Sequence, residues 1–114
     1  MGIKVVYNAC YGGFGISRAA KKLLRFHGVR EDLLRVEGIF LPRHDWRLVL
    51  AVEMLGEGAS ASCADLKIAE LTGDRYIINE YDGSERVIEP QQIAWVVAKP
   101  VALHRSIRNS RYVA

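Results

Sequence analysis

Residues 5–18, Val-Val-Tyr-Asn-Ala-Cys-Tyr-Gly-Gly-Phe-Gly-Ile-Ser-Arg, constrain this chain more than any other stretch. A β-branched run opens into a loop holding three glycines, and the loop opens into a helical pattern. Strand, loop and helix in that order set several backbone N–H groups at a helix start, where negative charge is favoured. Residues 3–9 read as a strand, and the adjacent Val5 and Val6 suit one covered on both faces. Ser17 is the predicted N-cap. Ile16, Ala19, Ala20, Leu23 and Leu24 follow the i, i+3, i+4, i+7, i+8 stripe of an amphipathic helix. Arg18, Lys21, Lys22 and Arg25 fall on its polar side, and Gly28 stops it.

Beyond this unit, Leu33, Leu34, Val36, Ile39 and Phe40 are apolar, with Gly38 interrupting. They suggest a helical turn and then an extended piece ending at Pro42. Asp45 is the predicted cap of a second helix, with Leu48, Val49, Val52 and Leu55 as its stripe and Gly56 as its stop. Residues 58–62 are small and loop-like, and the chain after them is β in character. Residues 65–71 alternate, with Leu66 and Ile68 against Lys67 and Glu70. Residues 75–81 are rich in Ile and Tyr. Asp82-Gly83 signals a type I′ hairpin, residues 85–89 return, and Pro90 ends them. Residues 92–99 alternate again, with Ile93, Trp95 and Val97 on one face. The expected fold is α+β, a mixed or mostly antiparallel sheet of about five strands with two helices packed on one face. Residues 1–99 form the expected single domain. Residues 100–114 form a basic C-terminal tail, mobile or bound to a partner.

The chain has 114 residues, half of them apolar and a quarter charged, which suits one globular core. No apolar run reaches the ~18 residues of a membrane span, so no membrane association is expected. No long apolar segment marks a secretory leader, and a cytoplasmic setting is the expectation. Cys10 and Cys63 are far apart and form neither a CxxC nor a zinc spacing, so neither a metal nor a cofactor is predicted. The net charge is +3 and the isoelectric point about 9.0. Much of the excess lies in Arg18, Lys21, Lys22, Arg25 and Arg30, and in Arg105, Arg108 and Arg111. Mild basicity permits anionic partners without singling out nucleic acid.

Four constellations could carry chemistry. Gly12, Gly13 and Gly15 allow positive φ and close approach of a ligand, Ser17 adds a hydroxyl and Arg18 a charge. The loop reads either as a cradle for a phosphate or carboxylate or as a tight strand-to-helix turn. It is no Walker loop, since no Gly-Lys-Ser/Thr follows, and Arg18 stands where a dinucleotide fingerprint needs its third glycine. Cys10, at a strand end near a helix start, is the one candidate nucleophile, with His44 or His27 as a base. Nothing local supports that pairing, and the chain is expected to be non-enzymatic. Arg43 and His44, just before Asp45, could meet an anion or sit at a solvated helix start. Around the Asp82-Gly83 turn, Tyr81 offers a stacking ring, and Glu80 and Arg86 could pair across the hairpin.

The run Val5-Val6-Tyr7-Asn8-Ala9-Cys10-Tyr11-Gly12-Gly13-Phe14-Gly15-Ile16-Ser17 resembles the opening of a family of small bacteriophage and prophage proteins that begin with a VYNACYGGFGLS-like motif. Further similarities come in the same order: Arg43-His44-Asp45 with the helix to Gly56, Ala64-Asp65-Leu66-Lys67-Ile68, and Glu80-Tyr81-Asp82-Gly83. Together they span about half the chain. The segment before Arg43 is shorter than in many members, and the C-terminal tail is this chain's own. The resemblance implies a phage context, hence the host cytoplasm, and supplies no activity. Small phage proteins of this kind often block host defence, some by sequestering nucleotide signals.

The leading expectation is therefore a binding module for an anionic small molecule such as a nucleotide, built as a homodimer. Its expected site takes Asn8, Tyr11, Gly12, Gly13, Phe14, Gly15, Ser17, Arg18, Arg43, His44 and Tyr81. One alternative is a protein-binding inhibitor of host defence or transcription, touching its partner through Tyr76, Trp95 and Val97 or the tail. Another is nucleic-acid binding through Lys21, Lys22, Arg25, Arg105, Arg108 and Arg111.

Overall fold

The computed structural model describes residues 2–35 and 38–100. The predicted tail, with Arg105, Arg108 and Arg111, lies outside the described residues apart from Pro100, as does Val36.

The chain is α+β. Strand β1 (Lys4–Asn8) leads through the glycine loop to helix α1 (Arg18–Phe26). The Ser17 side chain caps α1 by accepting from the Ala20 N–H, and Gly28, at φ +87°, turns the chain out of it. A 3-10 turn at Glu31–Leu33 precedes two minimal strands, β2 (Leu34–Arg35) and β3 (Gly38–Ile39). Helix α2 (Trp46–Leu55) follows, capped by Asp45 and ended by Gly56 at φ +57°. Strands β4 (Leu66–Glu70), β5 (Ile77–Tyr81) and β6 (Ser84–Ile88) complete the regular structure. No helix among the described residues is long and apolar enough to cross a membrane.

The expected sheet of about five strands is not formed. The strands pair two by two and antiparallel: β1 with β4, β5 with β6, and the two-residue β2 with β3. Val6 faces Ile68 across the first ladder, and Tyr81 faces Ser84 across the second. The second edge of β1 is taken up by the segment before α2, where Val6 N–H donates to the Arg43 carbonyl at 2.9 Å. That contact leaves no place for a third strand beside Val6. The expected strand at residues 92–99 is also absent. Pro90–Gln92 make a 3-10 turn, and the chain then runs on without a ladder partner.

The core gathers Val6, Ile16, Ala20, Leu24, Leu48, Val52 and Leu66 between α1, α2 and the β1–β4 pair. Val5, Val6, Leu24 and Leu48 are fully buried, as the β-branched run and the two helical stripes predict. Ala19, placed on the α1 stripe by spacing, is exposed instead. The edge of that stripe falls on the solvent side because α1 packs against α2 through Ala20 and Leu24.

Candidate functional site

The glycine loop is stitched to three distant parts of the chain. Asn8, fully buried at the end of β1, spends every side-chain valence internally. Its Nδ2 donates to the carbonyls of Cys10 (2.6 Å) and Gly83 (2.8 Å), and its Oδ1 accepts from Asp65 N–H (2.8 Å) and Cys10 N–H (3.3 Å). Gly12 lies flat against Cys63: a Cβ there would sit 1.9 Å from the Cys63 carbonyl oxygen. Gly83, in the hairpin turn, abuts the loop from the other side, and its Cβ would fall 2.2 Å from the Tyr11 carbonyl oxygen. Gly13, at φ +95°, has open space around it. The far arm of the loop pairs with residues 59–61, where Ser17 N–H donates to Ala59 and Ala61 N–H to Gly15. Tyr11 and Tyr81 are both largely exposed.

Arg43 meets an anion, and that anion belongs to the chain. Its guanidinium grips the nearly buried Glu85 carboxylate in a two-toothed pair, Nη1 to Oε1 at 2.6 Å and Nη2 to Oε2 at 2.9 Å. It also lies 3.7 Å above the Phe14 ring centroid. Burial pushes the Glu85 carboxyl up, but Arg43 and the Asn8 N–H outweigh burial and hold it below the usual carboxylate range. Sequence reasoning missed Glu85. The available signal was its place two residues before Val87, which puts a charge on an inward-facing strand position.

His44 Nδ1 lies 2.8 Å from the Tyr76 hydroxyl, and burial pushes that phenol up. His27 packs edge-on against Phe26 and Trp46. Both rings expected to serve Cys10 as a base thus have other neighbours. Cys10 is half-buried, Cys63 is exposed, and both are free thiols. Glu80 does not pair with Arg86: the register sets Asn79 opposite Arg86, and Glu80 accepts from Gly83 N–H at 2.6 Å, closing the turn. Glu89, the other nearly buried carboxylate, accepts from the Thr72 and Gly73 N–H groups. The pattern Glu-Pro-Gln-Gln at 89–92, a reciprocal cap, was its signal. Among the described residues, no three His, Cys, Asp or Glu side chains gather where a metal could bind.

An open groove of about 500 Å³ runs beside the start of α1, between its basic face and residues 60–62. Ser17, Arg18, Lys21, Arg25, Ser60 and Ser62 line it. Arg18, Lys21 and Arg25 stand at i, i+3 and i+7, one face of the helix. Ser17 Oγ donates to the Gly58 carbonyl at 2.6 Å while capping α1, and Ser60 Oγ accepts from Leu66 N–H. Arg25 is already held by Glu31, at 2.5 Å. The structure thus sorts the expected residues into two groups. Ser17 and Arg18 join the groove, together with Lys21 and Arg25 from the nucleic-acid set. Buried Asn8 and half-buried Phe14 and Arg43 are instead joined to one another through Glu85 and the Arg43 guanidinium, while Lys22 is exposed on α1. Spacing alone gave no hint that Ser60 and Ser62 face α1.

No family model, curated protein or solved structure matches this chain.

Proposed function

We propose that this chain is a non-enzymatic binding module for a phosphate-bearing small molecule, such as a nucleotide. The groove along α1 is the binding site. The observation that carries this reading is the convergence of Arg18 and Lys21 with the serines of residues 60–62 beside a helix N-terminus. Ammonium and guanidinium groups supply charge-assisted hydrogen bonds to phosphate, and the helix start adds its dipole. The groove's volume lies within the ~300–1,000 Å³ of small-molecule sites. The similarity of the opening motif to small phage proteins supports a phage origin, a setting in the host cytoplasm, and sequestration of a nucleotide signal of host defence. We place the chain there as a homodimer.

The test is calorimetric titration of the purified protein with a panel of nucleoside phosphates and inorganic phosphate. At least one is expected to bind, and Arg18→Ala or Lys21→Ala should weaken it roughly tenfold or more, as loss of a charge-assisted hydrogen bond does. Arg18 is exposed on α1, so its removal should leave melting almost unchanged. Absence of binding across the panel, or binding indifferent to both substitutions, would sink the reading.

A second reading has its own observation. The exposed Phe26 and Trp46 flank His27 edge-on, an aromatic row of the kind that anchors protein partners. A protein-binding inhibitor would use that row. The nucleic-acid reading retains Lys21, Lys22 and Arg25 on α1 and predicts affinity that falls steeply with salt.

A further inference from the structure

We infer that two copies of this chain pair by mutual strand addition, residues 93–99 of each lying along the open edge of β5 in the other. Two unfinished features of one chain complete each other in this arrangement. The first is an edge. Tyr81 and Ser84 close a two-residue hairpin, so Ile78 and Glu80 occupy the alternate positions whose N–H and C=O groups point away from β6. Among the described residues nothing pairs with that edge. It carries no proline or bulge to blunt it.

The second feature is a strand without a ladder. Residues 93–99 alternate, with Ile93, Trp95 and Val97 on one face, and residues 93–98 carry no charge. Among the described residues, the backbone bonds within this segment are two local ones, Trp95 N–H to Ile93 and Lys99 N–H to Val97. Trp95, Val96 and Val97 are 74%, 90% and 72% exposed, an arrangement that isolated apolar side chains do not favour in water. An open apolar groove of about 440 Å³ lies between this segment and the outer face of the hairpin, with Ile77, Ile88, Ile93 and Trp95 in its wall.

A second copy fits better than an unrelated partner because each chain holds both donor and acceptor, as a two-fold interface requires. The exposed apolar side chains set the scale: Trp95, Val96 and Val97 with Ile77 and Tyr81 expose on the order of 700 Å² per copy, an upper bound on what the pairing could bury from them, against the ~800 Å² per partner of a standard stable interface. Main-chain pairing would supply affinity, and the alternate side chains would fix the register. The inference is independent of the phosphate groove, which lies wholly within one copy: failure of either leaves the other standing.

The test is light scattering on the full chain after size exclusion, together with amide hydrogen exchange. A dimer is expected, with the Ile78 and Glu80 amides protected. The double variant Trp95→Asp/Val97→Asp changes two exposed side chains and should give a monomer. Its Ile78 and Glu80 amides should exchange at least tenfold faster, with the helical part of the circular dichroism and cooperative thermal unfolding retained. A wild-type monomer overturns the inference, whether or not those amides are protected. So does a dimer in which they exchange freely, or one that survives the double substitution.

Discussion

Gly12, Gly13 and Gly83 look alike in the sequence but answer to different demands. At Gly12 a methyl group would enter the Cys63 backbone, and at Gly83 it would enter the Tyr11 backbone while φ stays at +91°. Gly13 needs only its positive φ. Gly12→Ala and Gly83→Ala are therefore expected to cost about 1–3 kcal/mol or more through overpacking. Gly13→Ala should cost nearer 1 kcal/mol, from left-handed strain alone. Thermal or urea unfolding of the three variants checks the ranking. Arg43 carries the same lesson. Its place in the sequence allows it to meet a ligand; in the structure it neutralises Glu85 and covers Phe14. Arg43→Ala leaves a nearly buried carboxylate unpaired and should lower stability by roughly 2–4 kcal/mol, somewhat under a fully buried pair because the arginine is partly solvated. Phosphate binding at α1 should survive the change. That outcome would separate a stabilising residue from a ligand residue.

Among the elements, what was legible is what the local backbone decides. Ser17 and Asp45 cap the two helices, Gly28 and Gly56 end them, and Asp82-Gly83 makes a turn with positive φ at both positions, because each depends only on residues a few places away. The two buried helix stripes were legible for the same reason, apart from Ala19 at the stripe's edge. The strands were visible one at a time, but their number in a sheet was not. Alternation over residues 92–99 reports which side chains share a face and says nothing of a ladder partner. Likewise, no spacing rule brings Ser60 and Ser62 to α1, or Glu85 to Arg43. These contacts are settled by how the β1–β4 pair and the hairpin pack, which the sequence encodes only collectively.

At the scale of the molecule, pH should act through carboxylates. Glu85, Glu89 and Asp45 all have pKa values held below their ordinary ones. For Glu85, burial is outweighed by Arg43; for Glu89, burial is outweighed by the Thr72 and Gly73 donors; for Asp45, the bond from Arg47 dominates. A carboxyl depressed in the folded state binds its proton more weakly there than in the unfolded chain. Its stabilising contribution is complete above the unfolded pKa and is lost as pH falls through the folded one. Melting temperature should therefore be flat near neutrality and decline below about pH 4. Glu85→Gln should start lower and decline less steeply over the same range, as a pH series of melts would show.

The reach of Asn8 has a consequence in time. Its partners Asp65, Gly83 and Glu85 lie 57, 75 and 77 positions downstream. The loop beside it therefore acquires its shape through contacts of very long sequence separation, whose closure entropy must be met before they stabilise anything. The caps and stripes that define the helices are local, whereas the loop's fixed shape depends on the hairpin. A chain still being synthesised carries the loop's full sequence long before it carries the segments that hold the loop in place. Its most distinctive stretch is thus made well ahead of the partners that hold it.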